Sequence, residues 1–312
     1  LASTLRLSVP IALAAVGGIF AEKSGVINIG LEGLLIIAAF TAVHATNVTG
    51  GVLPGFAAGV LASTLLAGVF AVVCIGFRAD QIIAGLAVWL IALGLAPFAS
   101  QVFYGQPNVS VSSGGSPPSL AAFLRDLGAG VVVDPLAAIP YVRVLVRASL
   151  TVHLMLAMVA VSWYLLNRTA FGRHVRASGE NPSALDTAGV DVARVRYAAV
   201  LLSGVLAGMG GAALSADLSQ FVGNGPTMVN GKGFIAIVAY LFGNYNPVGA
   251  FLATLLFAGL DALQVNLQIA DVGVPDSLVR TIPFVTVIVV LALVGRTRIP
   301  EAAGEHFESG EE

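Results

Sequence analysis

Long apolar stretches alternate with short polar joints along the whole chain, and that alternation predicts membrane-crossing helices. The apolar segments fall near 5–22, 26–46, 52–77, 80–97, 149–166, 197–215, 232–243, 247–266 and 277–295. A helix needs about 20 apolar residues to cross a bilayer, and most of these segments approach that length. Segment 232–243 is too short to cross alone, so it reads either as a half-helix or as one that begins in the preceding polar stretch. The joints are compact: Glu22-Lys23-Ser24-Gly25, Arg78-Ala79-Asp80 and Asn244-Tyr245-Asn246-Pro247. The expected fold is an all-α polytopic membrane protein of about 8–10 transmembrane helices, some of them broken.

Composition strengthens this reading. Of the 312 residues 57% are hydrophobic and 10% charged, with a mean hydropathy of +0.92, whereas soluble domains carry about 25% charged residues. The formal charge of -2 is set by the end of the chain, where EAAGEHFESGEE holds five of the 17 acids. Without those five, 12 acids face 15 bases. We therefore divide the chain into a helical membrane domain, 1–298, and an acidic disordered tail, 299–312. Nothing in the sequence suggests nucleic-acid binding. The lone Cys74 lies in an apolar run and reads as packing. Leu5 to Ile19 has the hydrophobicity of a signal-peptide core, but no small-residue cleavage site before a soluble domain follows it, so it reads as a span.

Orientation comes from the polar loop 167–196, which carries five Arg and His174 against three acids and so belongs on the cytoplasmic side. Arg78, Arg296 and Arg298 then fall inside by parity, and the segment 98–148 falls outside. Within the inner loop a short helix is spelled out. Asn181 is suited to cap it, Pro182 to open it, Ser183 to Ala188 to continue it, and Gly189 to leave through a left-handed turn. On the outer side, Leu120 to Leu127 reads equally well as a short amphipathic helix or as irregular loop.

Two glycine-rich polar stretches precede apolar helices of opposite predicted direction: GVINIGLEG (25–33) and GPTMVNGKG (225–233). This is the pattern of an inverted repeat with broken helices around a midplane site, or a chance likeness between two short motifs. Asn28 and Glu32 share a face if the helix has begun by Asn28. An acid in an apolar segment is a functional candidate; its alternative is a packing role through hydrogen bonds to neighbouring backbone, for which glutamine would be a fair substitute. Asp261 and Gln264 share a face of the 247–266 segment. Asp217, Asn230 and Lys232 cluster near 216–233, with Lys232 able to pair with Asp217 or snorkel. Asn28, Glu32, Asn230, Lys232, Asp261 and Gln264 are thus candidates to line a polar path, and Phe234 and Phe257 lie nearby in sequence. The glycines 204, 208, 210 and 211 read as close helix packing. No Gly-Lys-Ser/Thr phosphate loop exists in the sequence, and the four His lack metal-ligand spacing. An intramembrane acid/base enzyme using Glu32 and Asp261 is the alternative from another function class.

SGVINIGLEGLLIIAAFTA, FGRHVRASGENPSALDTAGVDVARVR and GKGFIAIVAYLFGNYNPVGAFLATLLFAGLDALQ together resemble the permease subunits of bacterial and archaeal ABC importers for nucleosides and simple sugars, relatives of the ribose and branched-chain amino-acid permeases. The NIGLEG form leans towards the nucleoside branch. The resemblance implies a non-enzymatic transport subunit of the plasma membrane. Its implied partners are an ABC ATPase, which binds ATP and Mg, a second permease subunit, homologous or identical, and an extracytoplasmic lipoprotein receptor. No cofactor is implied in this chain. Coupling to the ATPase is carried over to Arg176, Ala177, Gly179, Glu180, Asn181, Pro182, Ala184, Ala188 and Gly189. GPTMVNGKGF departs from the Gly-Arg-Gly found in many related chains, with Lys232 keeping the charge.

Overall fold

The computed structural model describes residues 2–112, 116–126, 139–225, 227–269, 281, 285 and 298–307. In chain order the elements are α1 (Ala2–Lys23), α2 (Leu31–Thr49), α3 (Val52–Ala71), running into a π-helical turn (Val72–Gly76), and α4 (Gln81–Tyr104). The outer segment contributes β1 (Asn108–Ser110), α5 (Leu120–Asp126) and α6 (Pro140–Val146). Then come α7 (Leu150–Arg168), α8 (Ala170–Glu180), α9 (Pro182–Thr187), α10 (Val192–Leu218), β2 (Gln220–Val222), α11 (Lys232–Phe242) and α12 (Pro247–Ile269). Seven of these helices are long and apolar enough to cross a membrane, and α11 is a shorter apolar helix. The expected segment 277–295 lies outside the described residues.

The helices sort into a centre and a lipid-facing rim. α10 packs against α1, α2 and α3, and it does so through small residues. A side chain at Gly204 or Gly208 would meet Ala67 and Ser63 of α3, one at Gly210 would meet Pro10 of α1, and one at Gly211 would meet Leu35 of α2. Small residues bring membrane helices together where lipid offers no competing hydrophobic drive. On the rim, Leu61, Leu65, Val69 and Val72 of the α3 segment and Ile83, Leu86 and Leu90 of α4 are exposed. Their spacing of three and four residues makes one apolar stripe per helix, facing lipid.

Polar contacts identify the two ends. At one, Asn47 Nδ2 donates to the Ser110 carbonyl at 3.1 Å, β1 pairs antiparallel with β2, and Asp217 joins Arg6 to Thr151. At the other, the Ser178 hydroxyl donates to the Ser24 carbonyl at 2.8 Å, Tyr245 donates to Glu22 at 3.0 Å, and the Arg298 N–H reaches Asn244 at 3.2 Å. The second end holds the basic loop and is the cytoplasmic one by the positive-inside rule.

Several boundaries differ from the expectation. The second span starts at Leu31, not 26, because Val26–Gly30 runs as irregular backbone. α4 passes through Pro97 to Tyr104; proline is tolerated where neighbouring helices steady a membrane helix, and here Ala96 and Ser100 are fully buried beside it. The loop 167–196 holds an additional helix, α8, and the first turn of α10. Outside, Leu120–Asp126 is helical, which decides between the two readings of that stretch. The acidic tail is not solvated throughout: the Ala302 N–H donates to the Gly179 carbonyl at 2.8 Å and the Gly304 N–H to the Gly25 carbonyl at 3.0 Å, so 298–307 lie on the cytoplasmic face.

Candidate functional site

α11 has 11 residues, about 17 Å at 1.5 Å per residue, or roughly half of a hydrocarbon core. It begins inside the bundle. The chain reaches that point from the outer end through β2 and turns at 227–231, and Gly225, Thr227, Asn230 and Gly231 all have positive φ. α2 likewise begins after irregular backbone, but arrives from the cytoplasmic end. Two helices of opposite direction therefore start within the bundle, as the pair of glycine-rich stretches suggested.

Their starts meet at one carboxylate. Glu32, in the first turn of α2, is 2% exposed. The Gly231 N–H donates to its Oε1 at 2.7 Å and the Gly233 N–H to its Oε2 at 2.6 Å. The distances are those of charge-assisted bonds, and they satisfy donors that the start of α11 would otherwise leave open. Gly233 permits the approach: a Cβ there would lie 2.5 Å from Glu32 Cα. The packing alternative for Glu32 had glutamine as a fair replacement. The two bonds are the contacts to neighbouring backbone which that alternative described, and glutamine fits them less well, because both oxygens accept and an amide would turn one acceptor into a donor facing an N–H.

The other path candidates divide around this junction. Lys232 is within electrostatic reach of both Glu32 and Asp261, and its Nζ donates to the Val229 carbonyl at 3.2 Å. Gln264 follows Asp261 by one turn on α12 and is half-buried with it. Asn230 is exposed with φ 48°. Asn28 lies apart. It precedes the helix, so its supposed shared helical face with Glu32 does not exist. Its Oδ1 accepts from the Gly30 N–H at 3.0 Å and its Nδ2 donates to Ser203 of α10 at 3.3 Å. Asp217 pairs with Arg6, not with Lys232. Phe234 is half-buried, edge-on to Trp89 at 5.3 Å, whereas Phe257 is buried and stacked on Phe242, a core contact.

On the cytoplasmic side the capped helix forms as its sequence spells out. Asn181 Oδ1 accepts from the Ala184 N–H at 2.9 Å, Pro182 opens α9, and Gly189 has φ 79°. Leu185 is buried and anchors α9, while Glu180, Asn181, Ala184, Ala188 and Gly189 are exposed. Arg176 and Ala177 are half-buried, and Gly179 is buried. A side chain at Gly179 would collide with the Lys23 carbonyl, so α8 rests directly on the turn between α1 and α2.

Sequence reasoning missed Ser203, the tyrosine contact to Glu22, and the burial of Arg196. Ser203 sits in a glycine run read as packing, with no local signal. Glu22 reads as part of a solvated joint, yet it is buried and accepts from Tyr245. Burial first, and the nearby Glu22 charge second, hold the Tyr245 phenol far above its usual range, so it stays a donor.

The family model described as branched-chain amino acid transport system / permease component matches residues 1–291. The chain is 35% identical to the nucleoside ABC transporter permease protein NupC of Lactococcus lactis, over 98% of this chain and 95% of that one. It is 32% identical to the guanosine ABC transporter permease protein NupQ of Bacillus subtilis, over 99% and 96%. It is also 32% identical to the putative glucose ABC transporter permease protein TsgC13 of Haloferax volcanii, over 93% and 89%. No solved structure matches the chain.

Proposed function

The chain belongs to the permease-component family of branched-chain amino acid transport systems, and from that premise we propose that it conducts nucleosides as a subunit of an ATP-driven ABC importer. It is a multi-pass protein of the plasma membrane and a transport component, not an enzyme. Relatives named for nucleoside and guanosine transport, similar over nearly the full chain, favour this solute class.

The observation that carries the reading is the meeting of two helix starts at Glu32. In broken-helix transporters such ends face the solute site, and their positive dipole ends suit anions. Here the chain's own carboxylate already occupies the α11 end, so an anionic solute gains little there. A neutral, hydroxylated solute fits a surface of exposed amide and backbone beside a compensated Glu32–Lys232–Asp261 cluster. Asn230, Lys232, Asp261 and Gln264 line this path with Glu32, and Asn28 supports it from behind.

A chain without a nucleotide site receives work from partners. The exposed face of α9, with Ala184 at its centre and Asn181, Ala188 and Gly189 around it, docks an ATPase that binds ATP and Mg. Arg176, Ala177, Gly179 and Glu180 carry the movement inward to the α1–α2 turn. A second permease subunit completes the membrane pair, and an external lipoprotein receptor delivers solute. Switching between outward- and inward-open states is then a population shift driven by the ATPase.

The solute test is uptake of labelled guanosine into vesicles bearing the assembled complex, competed by adenosine, ribose, glucose and leucine. Competition by nucleosides alone is the expected result. The similarity to a putative glucose permease makes simple sugars the second reading, and competition by glucose with none by nucleosides would establish it. For docking, Ala184→Arg is expected to leave insertion intact and abolish solute-stimulated ATP hydrolysis; normal stimulation would remove α9 from the coupling route.

A further inference from the structure

Residues 298–307 are tied to four separate parts of the cytoplasmic end. The Arg298 N–H donates to Asn244 Oδ1 at 3.2 Å, in the joint between α11 and α12. The Ala302 N–H donates to the Gly179 carbonyl of α8 at 2.8 Å, and the Gly304 N–H to the Gly25 carbonyl before α2 at 3.0 Å. The Glu305 carbonyl accepts from Arg196 Nη1 of α10 at 2.7 Å. The sequence suits this course. Pro300 and Ala302 are buried while Glu301 and Glu305 are exposed, so small and apolar residues face the bundle and acids face water. Gly304 turns the chain with φ 84°, and a Cβ there would lie 3.1 Å from Ile27. Gly25 and Gly179 are buried, and buried carbonyls need donors; the tail supplies them.

The anchor points belong to elements with different tasks. Gly25 lies in the stretch that leads into α2, and Asn244 follows the end of α11, so the tail reaches both broken helices from the cytoplasmic side. Gly179 lies in the last turn of α8, beside the cap of α9. The main packing partners of α8 are α7, α9, α10 and α1, and the tail adds a direct path from α8 to the end of α11. Arg196 stiffens the crossing. It is 4% exposed and wedged between the Glu305 carbonyl and Gly25, where a Cβ would come 2.8 Å from Nη2. We propose that 298–307 is a transmission strap: it makes α8 and the cytoplasmic sides of both broken helices move as one body, so that work delivered at α9 reaches the Glu32 junction through α2 and α11 together. This rests on the ATPase docking proposed for α9 and holds for any transported solute.

The test measures ATP hydrolysed per labelled solute taken up by the assembled complex in vesicles, with guanosine as the first probe and glucose as the second. Two variants detach the strap. One chain ends at Arg298; the other is Gly304→Val, in which a β-branched side chain meets a positive φ and Ile27. Both are expected to keep hydrolysis and lose uptake, raising the ratio about tenfold, the size of a typical coupling between sites. Amide exchange of residues 23–30 should rise in both. A strap that only stabilises the fold would lower hydrolysis and uptake together, and an unchanged ratio in both variants would overturn the proposal. The double variant Glu301→Gln/Glu305→Gln keeps the backbone bonds and should keep the ratio; an equal rise there would assign the effect to tail charge and would also overturn it. Normal stimulation in Ala184→Arg with a raised ratio in the strap variants would remove only the docking at α9. Uncoupled Ala184→Arg with an unchanged ratio in the strap variants would remove only the strap.

Discussion

The two stretches that lead into broken helices look alike in sequence and are held very differently. The first, 24–30, is tied down by four other parts of the molecule. The Ile27 N–H donates to Gln81 of α4 at 2.7 Å, Asn28 reaches Ser203 of α10, Ser178 of α8 bonds Ser24, and the tail bonds Gly25. The second, 223–231, is held mainly by its own turns, such as the Met228 N–H to the Val222 carbonyl at 2.9 Å, by Asn108, which accepts from the Gly223 N–H, and by Glu32. It also stores four positive-φ residues, two of them not glycine. The first stretch is therefore scaffold, rigidly linked to the cytoplasmic helices. The second is the adjustable part, held by its own turns and by the Glu32 carboxylate of α2, the helix into which the first stretch leads.

The largest effect should come from breaking the bonds that join the second stretch to α2 at Glu32. Glu32→Ala leaves two buried donors open and should cost about 3 kcal/mol, with Glu32→Gln at about 2 kcal/mol because one N–H then faces an amide donor. Uptake should fall about tenfold or more in both; a normally assembled Glu32→Gln complex with unimpaired uptake would dissolve the contrast. Next comes the scaffold's link to α8. Gly179→Ala forces α8 off the Lys23 carbonyl, an overpacking of about 2 kcal/mol, and thermal melting together with ATPase stimulation would report it. A smaller loss, about 1.5 kcal/mol, is expected for Asn28→Ala, which removes bonds to Gly30 and Ser203. The sharpest comparison is the smallest change. Asn230→Gly, in the adjustable stretch, should shift stability by no more than about 0.5 kcal/mol, since glycine takes a positive φ without strain. Equal melting shifts for Asn28→Ala and Asn230→Gly would show the two stretches to be held alike.

Hydropathy made the spans legible because lipid enforces a single rule along their whole length. The short helix α9 was legible for a different reason: Asn181, Pro182 and Gly189 each perform a local backbone task that residue type alone reveals. The failures are of two kinds, local and remote. Asn28 and Glu32 are four apart, which reads as one helical face, yet Asn28 uses its side chain to build the turn before the helix. The expected span ends at 97, and α4 instead continues through Pro97 to Tyr104, packed by neighbours that steady it. The strand pair rests on three residues a side, with Val109 and Phe221 buried, too short for a period-two pattern. Arg196 reads as one more charge on a basic loop, and its burial depends on a tail that looked too acidic to fold. The Asn28 turn is local, whereas the strand pair and the burial of Arg196 are contacts between segments far apart in the chain.

That remoteness has a consequence for how the protein is made. Glu32 and Gly231 are 199 residues apart, so a ribosome adding about 5–20 residues per second needs some 10–40 s between them. Throughout that interval α2 carries a carboxylate whose two backbone donors do not yet exist. The nascent helix is consequently favoured at the water-facing edge of the insertion machinery, and it settles at its final depth only when α11 emerges. An N-terminal fragment ending before Gly231 should then be a substrate for membrane quality control even with most of its spans complete. Closure of the Glu32 junction is therefore a late event in the making of the chain, after α10 has come within reach of α1, α2 and α3.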